Sequence, residues 1–358
     1  MRPSAAENSR LHNLDYLRGI AAFGIMIYHY LTWWGGSEFT ADTFLARVGV
    51  YGVSIFYVLS GLTLYHVYFK KMTDIGGVRD FAVKRVFRIF PLLWLVTILA
   101  IVMSRKLPNL LDLFLNLTGL FGFVKWGTYF SAGVWSIGNE LVFYVIFPLL
   151  VLCARSQRSL LTLAGAALLA PYLYFAFIGL TPNQSLAEQW ISYISPFNQA
   201  FLFFCGFAIG HILRSRSLPQ PWLWGTLIAA LAAFTLIPAV GAPVVLVTGL
   251  NRLAFTLICV LICAAAYRIR VRVPRAVHIP LGTLGEASYS VYLIHPLTYL
   301  VVHALLRDRV APVAQVLIAI TITLVLSWLC YRRFEKYFMG VGRRVAGSLS
   351  RAQARDAS

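Results

Sequence analysis

The chain is short of charge, and shortest of negative charge. Asp and Glu number 13 against 31 Lys and Arg, and charged residues make up 12% of the 358. A soluble domain carries about 25%. With 59% apolar residues and a mean hydropathy of +0.74, too little polar surface is left to cover one globule of this size. An ordinary cytosolic enzyme, a disordered chain and a fibrous repeat are excluded, leaving an all-α polytopic membrane protein. Cysteine is also scarce. Cys153, Cys205, Cys259, Cys263 and Cys330 all lie in apolar runs, as small buried hydrophobes do. Disulfides and a metal site are therefore not expected.

What is abundant is the apolar run. Ten segments are candidates to span a bilayer: 14–34, 48–69, 89–104, 133–153, 160–179, 193–213, 221–240, 244–267, 281–305 and 312–331. The first keeps Arg18, ends in aromatic residues and lacks a small-residue cleavage site, so it reads as a span and not a signal peptide. Basic residues set the orientation. With a cytoplasmic N-terminus, the inner segments hold 24 Lys and Arg and the outer ones six, with Arg252 inside a span. That bias is the one cytoplasmic loops carry, so both termini are expected inside and nucleic acid is not an expected partner.

The segment 109–124 is apolar but short, with Asp112 and Asn116 on one helical face; it is expected to be interfacial or re-entrant. The domain reading is a cytoplasmic tail over 1–13, a membrane domain over 14–337, and a basic, disordered cytoplasmic tail over 338–358.

Ionisable groups inside spans are costly, about 2.5–3.5 kcal/mol each, and so mark function. Arg18 and His29 lie eleven residues apart, which puts them on one face of the first helix about 16 Å apart. Depth along the helices sorts the polar residues into two layers. The inner layer holds Asp15, Arg18, Glu286 and the basic loop 70–88, with Glu286 neutralising Arg18 or Arg88. The outer layer holds His29, Ser136, Asn139, Glu140, Asn198, Arg252 and His295. Glu140 matches His29 in depth and is expected to pair with it and orient the imidazole. In the basic loop, Lys84, Arg85 and Arg88 suit phosphate binding. Plainer readings stand beside these: a positive-inside anchor for the loop, snorkelling for Arg18, structural hydrogen bonds for His29 and Glu140.

Five motifs in order resemble one family. They are Leu14-Asp-Tyr-Leu-Arg18-Gly with His29, Phe56-Tyr-Val-Leu-Ser-Gly61, Arg85-Val-Phe-Arg88-Ile-Phe-Pro91, Trp135-Ser-Ile-Gly-Asn-Glu140, and Ser288-Tyr-Ser-Val-Tyr-Leu-Ile-His295. Together they resemble the acyltransferase-3 family of integral membrane O-acyltransferases, the family of O-antigen and nodulation-factor O-acetylases. The likeness runs from about 14 to 337. Tyr16 stands where the family often has Gly, and Leu141 where it often has a second acid. The chain resembles the stand-alone form, without a following esterase-like domain.

The resemblance implies acyl transfer from acyl-CoA, most often acetyl-CoA, to a hydroxyl of a cell-envelope carbohydrate or lipid-linked sugar. Acyl-CoA is then a co-substrate, with no permanently bound cofactor. The family's first-helix Arg and His fall on Arg18 and His29, and its basic pair on Arg85 and Arg88. The expected catalytic set is His29, Glu140 and Arg18; the expected CoA-binding set is Arg85, Arg88 and Lys84. Ser136, Asn139, Arg252 and His295 are candidate oxyanion or acceptor contacts. His29 acts as general base or carries the acyl group, and both routes stay open. The 25 Arg against six Lys suggest a GC-rich bacterium and hence its inner membrane. The alternative is a proton-coupled transporter or flippase of a glycan or lipid intermediate, which embedded Arg, His and Glu also suit; a catalytically dead sensing relative is a third reading.

Overall fold

The computed structural model describes residues 5–36, 39–307 and 309–356. All regular structure among them is helical, in three short π- or 3-10-helical stretches and fifteen α-helices: α1 Ala5–Gly35, α2 Phe44–Tyr68, α3 Ile75–Ser104, α4 Leu110–Thr118, α5 Phe121–Val124, α6 Val134–Ser156, α7 Arg158–Tyr174, α8 Trp190–Tyr193, α9 Pro196–Leu213, α10 Gln220–Leu236, α11 Gly249–Arg268, α12 Arg275–Glu286, α13 Ser288–Leu306, α14 Pro312–Leu329 and α15 Lys336–Asp356. Eight helices or continuous helical runs are long and apolar enough to cross a membrane. The predicted spans matching α1 and α10 fall short of that measure, α10 at 17 residues. Even so, α1 is central, packing on α2, α11, α12, α13 and α14.

Several boundaries differ from the sequence reading. The basic loop 70–88 is largely helical: Asp74 caps α3, its carboxylate accepting from the Gly77 amide at 2.8 Å, and α3 then runs unbroken to Ser104. Local capping thus pulls the basic residues onto the third span. The segment 109–124 is two short helices, α4 and α5, parted at Gly119, whose φ of +77° ends α4. The ninth predicted span is interrupted at Ala287, between α12 and α13. The expected tails are helical wherever described, α1 starting at Ala5 and α15 reaching Asp356; residues 1–4, 357 and 358 lie outside the described residues. The C-terminal helix is amphipathic and sets Gly342 against Phe87 of α3, a face that alternation of small and basic residues disguised.

Two close helix approaches position the functional region. A Cβ on Gly61 of α2 would lie 2.0 Å from the Phe203 carbonyl oxygen of α9, and one on Gly206 would lie 1.9 Å from that of Val58. Only hydrogen side chains let these backbones touch. Likewise, a Cβ on Gly285 would meet the Asp15 carbonyl oxygen at 2.2 Å, and one on Gly19 the Gly285 amide at 2.7 Å. That contact pins the α12–α13 break to α1, so α13 rises beside the α1 face that carries Arg18 and His29.

Candidate active site

Two cavities open along this face of α1. The first, about 170 Å³, is lined by Arg18 of α1, Ser60 and Thr63 of α2, Arg85 and Arg88 of α3, and Ser136 and Glu140 of α6. The second, about 260 Å³, is lined by His29 and by the aromatic rings of Tyr28, Trp33, Trp135, Trp190 and Tyr193. Arg18 and His29 stand about 16 Å apart along the α1 axis, one in each cavity.

In the first cavity three guanidinium groups converge, each held by a neighbour. Arg18 donates to Asp15 Oδ1 and to Thr63 Oγ1, both at 3.1 Å. Arg85 donates to the Tyr68 hydroxyl at 3.1 Å and lies over the rings of Tyr68, Phe81 and Tyr144. Its Nε is buried without a hydrogen-bond partner. Arg88 pairs with Glu335 at 2.8 Å and lies over Tyr289. The Glu335 carboxylate is buried, and Ser290 Oγ donates to it as well. A single acid thus orders Arg88 from the π-helical stretch Cys330–Glu335 that joins α14 to α15. Sequence reading passed over Glu335. The available signal was an acid set between Arg332, Arg333 and Lys336.

In the second cavity His29 Nδ1 lies 2.9 Å from His295 Nε2, and the rings are near-parallel. His29 also stacks on Trp33, at 4.7 Å between centroids. His295 is fully buried, its Nδ1 lies 3.1 Å from the Val291 carbonyl oxygen, and its own carbonyl accepts from the Tyr30 hydroxyl at 2.9 Å.

Several expected roles change. Glu140 does not meet His29; it belongs to the arginine cavity, where it accepts from Tyr144 at 2.5 Å and from Ser60 at 3.1 Å. Depth alone had matched it to His29, but helix rotation turns Ser136 and Glu140, four residues apart, toward α2. Ser136 therefore moves to the arginine cavity with it. Lys84 lines neither cavity and pairs with Asp80 one turn back, at 2.7 Å. Asn139 is buried, donating to the Tyr57 hydroxyl and the Ile194 carbonyl. Arg252 is buried too: it donates to Asn198 Oδ1 at 2.5 Å and to the Val247 carbonyl, under the Tyr172 ring. Neither Asn139 nor Arg252 lines a cavity described above. Glu286 faces Lys336 at 3.8 Å, not Arg18 or Arg88.

The comparisons with known proteins agree with this architecture. Residues 11–332 match the acyltransferase domain that defines the acyltransferase-3 family. The chain belongs to that family and is an integral membrane acyltransferase. No curated protein and no solved structure gives a significant match to it.

Proposed function

We propose that the protein moves an acyl group, most often acetyl, from cytoplasmic acyl-CoA to a hydroxyl of a cell-envelope carbohydrate or lipid-linked sugar at the outer face of a bacterial inner membrane. One observation carries the reading: the arginine cavity and the histidine cavity sit at opposite ends of one face of α1. Arg18, Arg85 and Arg88 suit the phosphates of CoA, since guanidinium forks bind phosphate oxygens bidentately. The pantetheine arm is long enough for a gap of about 16 Å along α1. Aromatic walls around His29 suit a sugar ring, which stacks its C–H faces on indole and phenol rings.

The hydrogen-bond network sets the chemistry of the base. The Val291 carbonyl can only accept, so His295 carries its proton on Nδ1 and offers a lone pair at Nε2. His29 Nδ1 then donates to it, which leaves His29 Nε2 unprotonated. That lone pair takes the proton of the acceptor hydroxyl as its oxygen attacks the thioester carbonyl. The new C–O bond forms, the C–S bond breaks, and the CoA thiolate leaves and is protonated by the imidazolium. His295 is a positioning residue here, as are Glu335 for Arg88 and Tyr144 for Glu140.

The test uses purified protein in lipid vesicles with acetyl-CoA and a cell-envelope glycan extract. Thiol release that depends on the glycan, with label from the acetyl group in the glycan, is the expected result. Proton-coupled glycan movement without thiol release would assign the site to transport instead.

A further inference from the structure

Among the described residues, the arginine and histidine cavities meet at only two of their lining residues, Val53 of α2 and Tyr292 of α13. Both are almost fully buried, at 6% and 5% exposure. They differ in rotamer freedom. Val53 is β-branched on a helix and has one strongly favoured rotamer. Tyr292 carries a long ring on two rotatable bonds. Opposite it stands Gly133, just before α6, with a φ of +87°; a Cβ there would lie 3.2 Å from the Tyr292 ring and 3.5 Å from its hydroxyl oxygen. The ring also stands edge-on to Phe56 at 5.7 Å and tilted to His295 at 6.0 Å. The Tyr292 hydroxyl is also within reach of Ser136.

Along α13 the order is telling. Tyr289 lies under Arg88 in the arginine cavity, Tyr292 stands between the cavities, and His295 holds His29 in the second. Each step is three residues, about 4.5 Å of rise.

We infer that Tyr292 is a gate: its ring closes the passage between donor and acceptor cavities, turns aside about its own side-chain bonds to admit the acyl thioester, and otherwise keeps water from the donor. The inference rests on the acyl-CoA reading above. Without a gate, water entering from the acceptor side attacks the thioester, breaks its C–S bond and yields free acid and CoA thiol. Excluding water from such a site is what suppresses that side reaction.

The experiment compares wild type, Tyr292→Phe and Tyr292→Ala in lipid vesicles by two readouts. One is thiol release from acetyl-CoA with and without glycan extract. The other is passive proton leak across the vesicle wall, followed with an internal pH dye and no donor present. In Tyr292→Ala, glycan-independent thiol release rises at least about tenfold and the leak rises with it, because a barrier only about 1.4 kcal/mol lower gives that factor. Tyr292→Phe keeps the ring and stays close to wild type in both. Wild-type ratios and leak in Tyr292→Ala overturn the gate. Equal defects in the Phe and Ala variants overturn it too, by giving the role to the hydroxyl. If wild type releases no thiol with any glycan, the acyl-CoA reading fails while the leak still decides the gate. If Tyr292→Ala does not fold, Val53→Phe narrows the same passage from the other side; unimpaired transfer in that variant overturns the proposal.

Discussion

His29 and His295 are 266 residues apart in sequence, yet their facing nitrogens lie 2.9 Å apart. With the Val291 carbonyl fixing the outer proton of His295, the pair has one consistent proton arrangement, and it leaves His29 Nε2 unprotonated, the atom that the proposed reaction uses as its base. Acidification protonates this base. Transfer, measured as kcat/KM, therefore falls tenfold per pH unit on the acid side and is flat above it. A pH profile without that acid limb would remove the neutral imidazole from the reaction.

Substitution of His295 separates positioning from packing. His295→Gln keeps a side-chain oxygen able to accept from His29 Nδ1, whereas His295→Leu does not. Loss of such an orienting partner costs about 10–100-fold. The Leu variant should lose that much kcat with little change in KM for the donor, and the Gln variant should recover most of it. Equal losses in both would reduce His295 to a core side chain.

Lys84, Arg85 and Arg88 of α3 are predicted to part company. Arg85 and Arg88 line the first cavity, while Lys84 is tied to Asp80 outside it. Arg85→Ala should raise KM for acetyl-CoA about tenfold, the scale of one charge-assisted hydrogen bond to phosphate. Lys84→Ala should leave KM unchanged. Equal effects would mean a diffuse positive field and not a built site.

Glu335 holds Arg88 from a buried position. Removing one partner of a buried ion pair costs about 3–5 kcal/mol, because the other charge is left unpaired. Glu335→Ala should lower the melting temperature of the purified protein, and the double variant with Arg88→Met should recover part of that loss. An additive double variant would show that the pair is not coupled.

Much of the fold was legible because a bilayer demands long apolar helices; eight of the ten predicted spans are helices long and apolar enough to cross it, and α1 and α10 fall short of that measure. Arg18, His29, Arg85 and Arg88 were legible because charge in such helices is rare. The pairing was not. Depth follows from residue count, but the azimuth of one helix against another follows from packing, here from glycine contacts such as Gly285 on Asp15. That is why Glu140 was matched to His29 and proved to face Ser60 and Tyr144. Glu335 was missed because it lies just past the last predicted span, 312–331, among Arg332, Arg333 and Lys336, where the basic residues alone set the reading.

The same glycines give a structural prediction. Gly206→Ala puts a methyl group where the Val58 carbonyl oxygen stands, 1.9 Å away. Overpacking of this kind costs about 1–3 kcal/mol. Thermal unfolding in detergent should show the loss, whereas Gly225→Ala, with open space around it, should not destabilise the protein.

The most direct test of the account is label transfer from acetyl-CoA to the glycan extract by wild type and His29→Ala, with both proteins shown to have the same melting temperature. The account predicts a loss of at least about 100-fold in the variant, the contribution of a general base. Transfer at the wild-type rate by His29→Ala would contradict it.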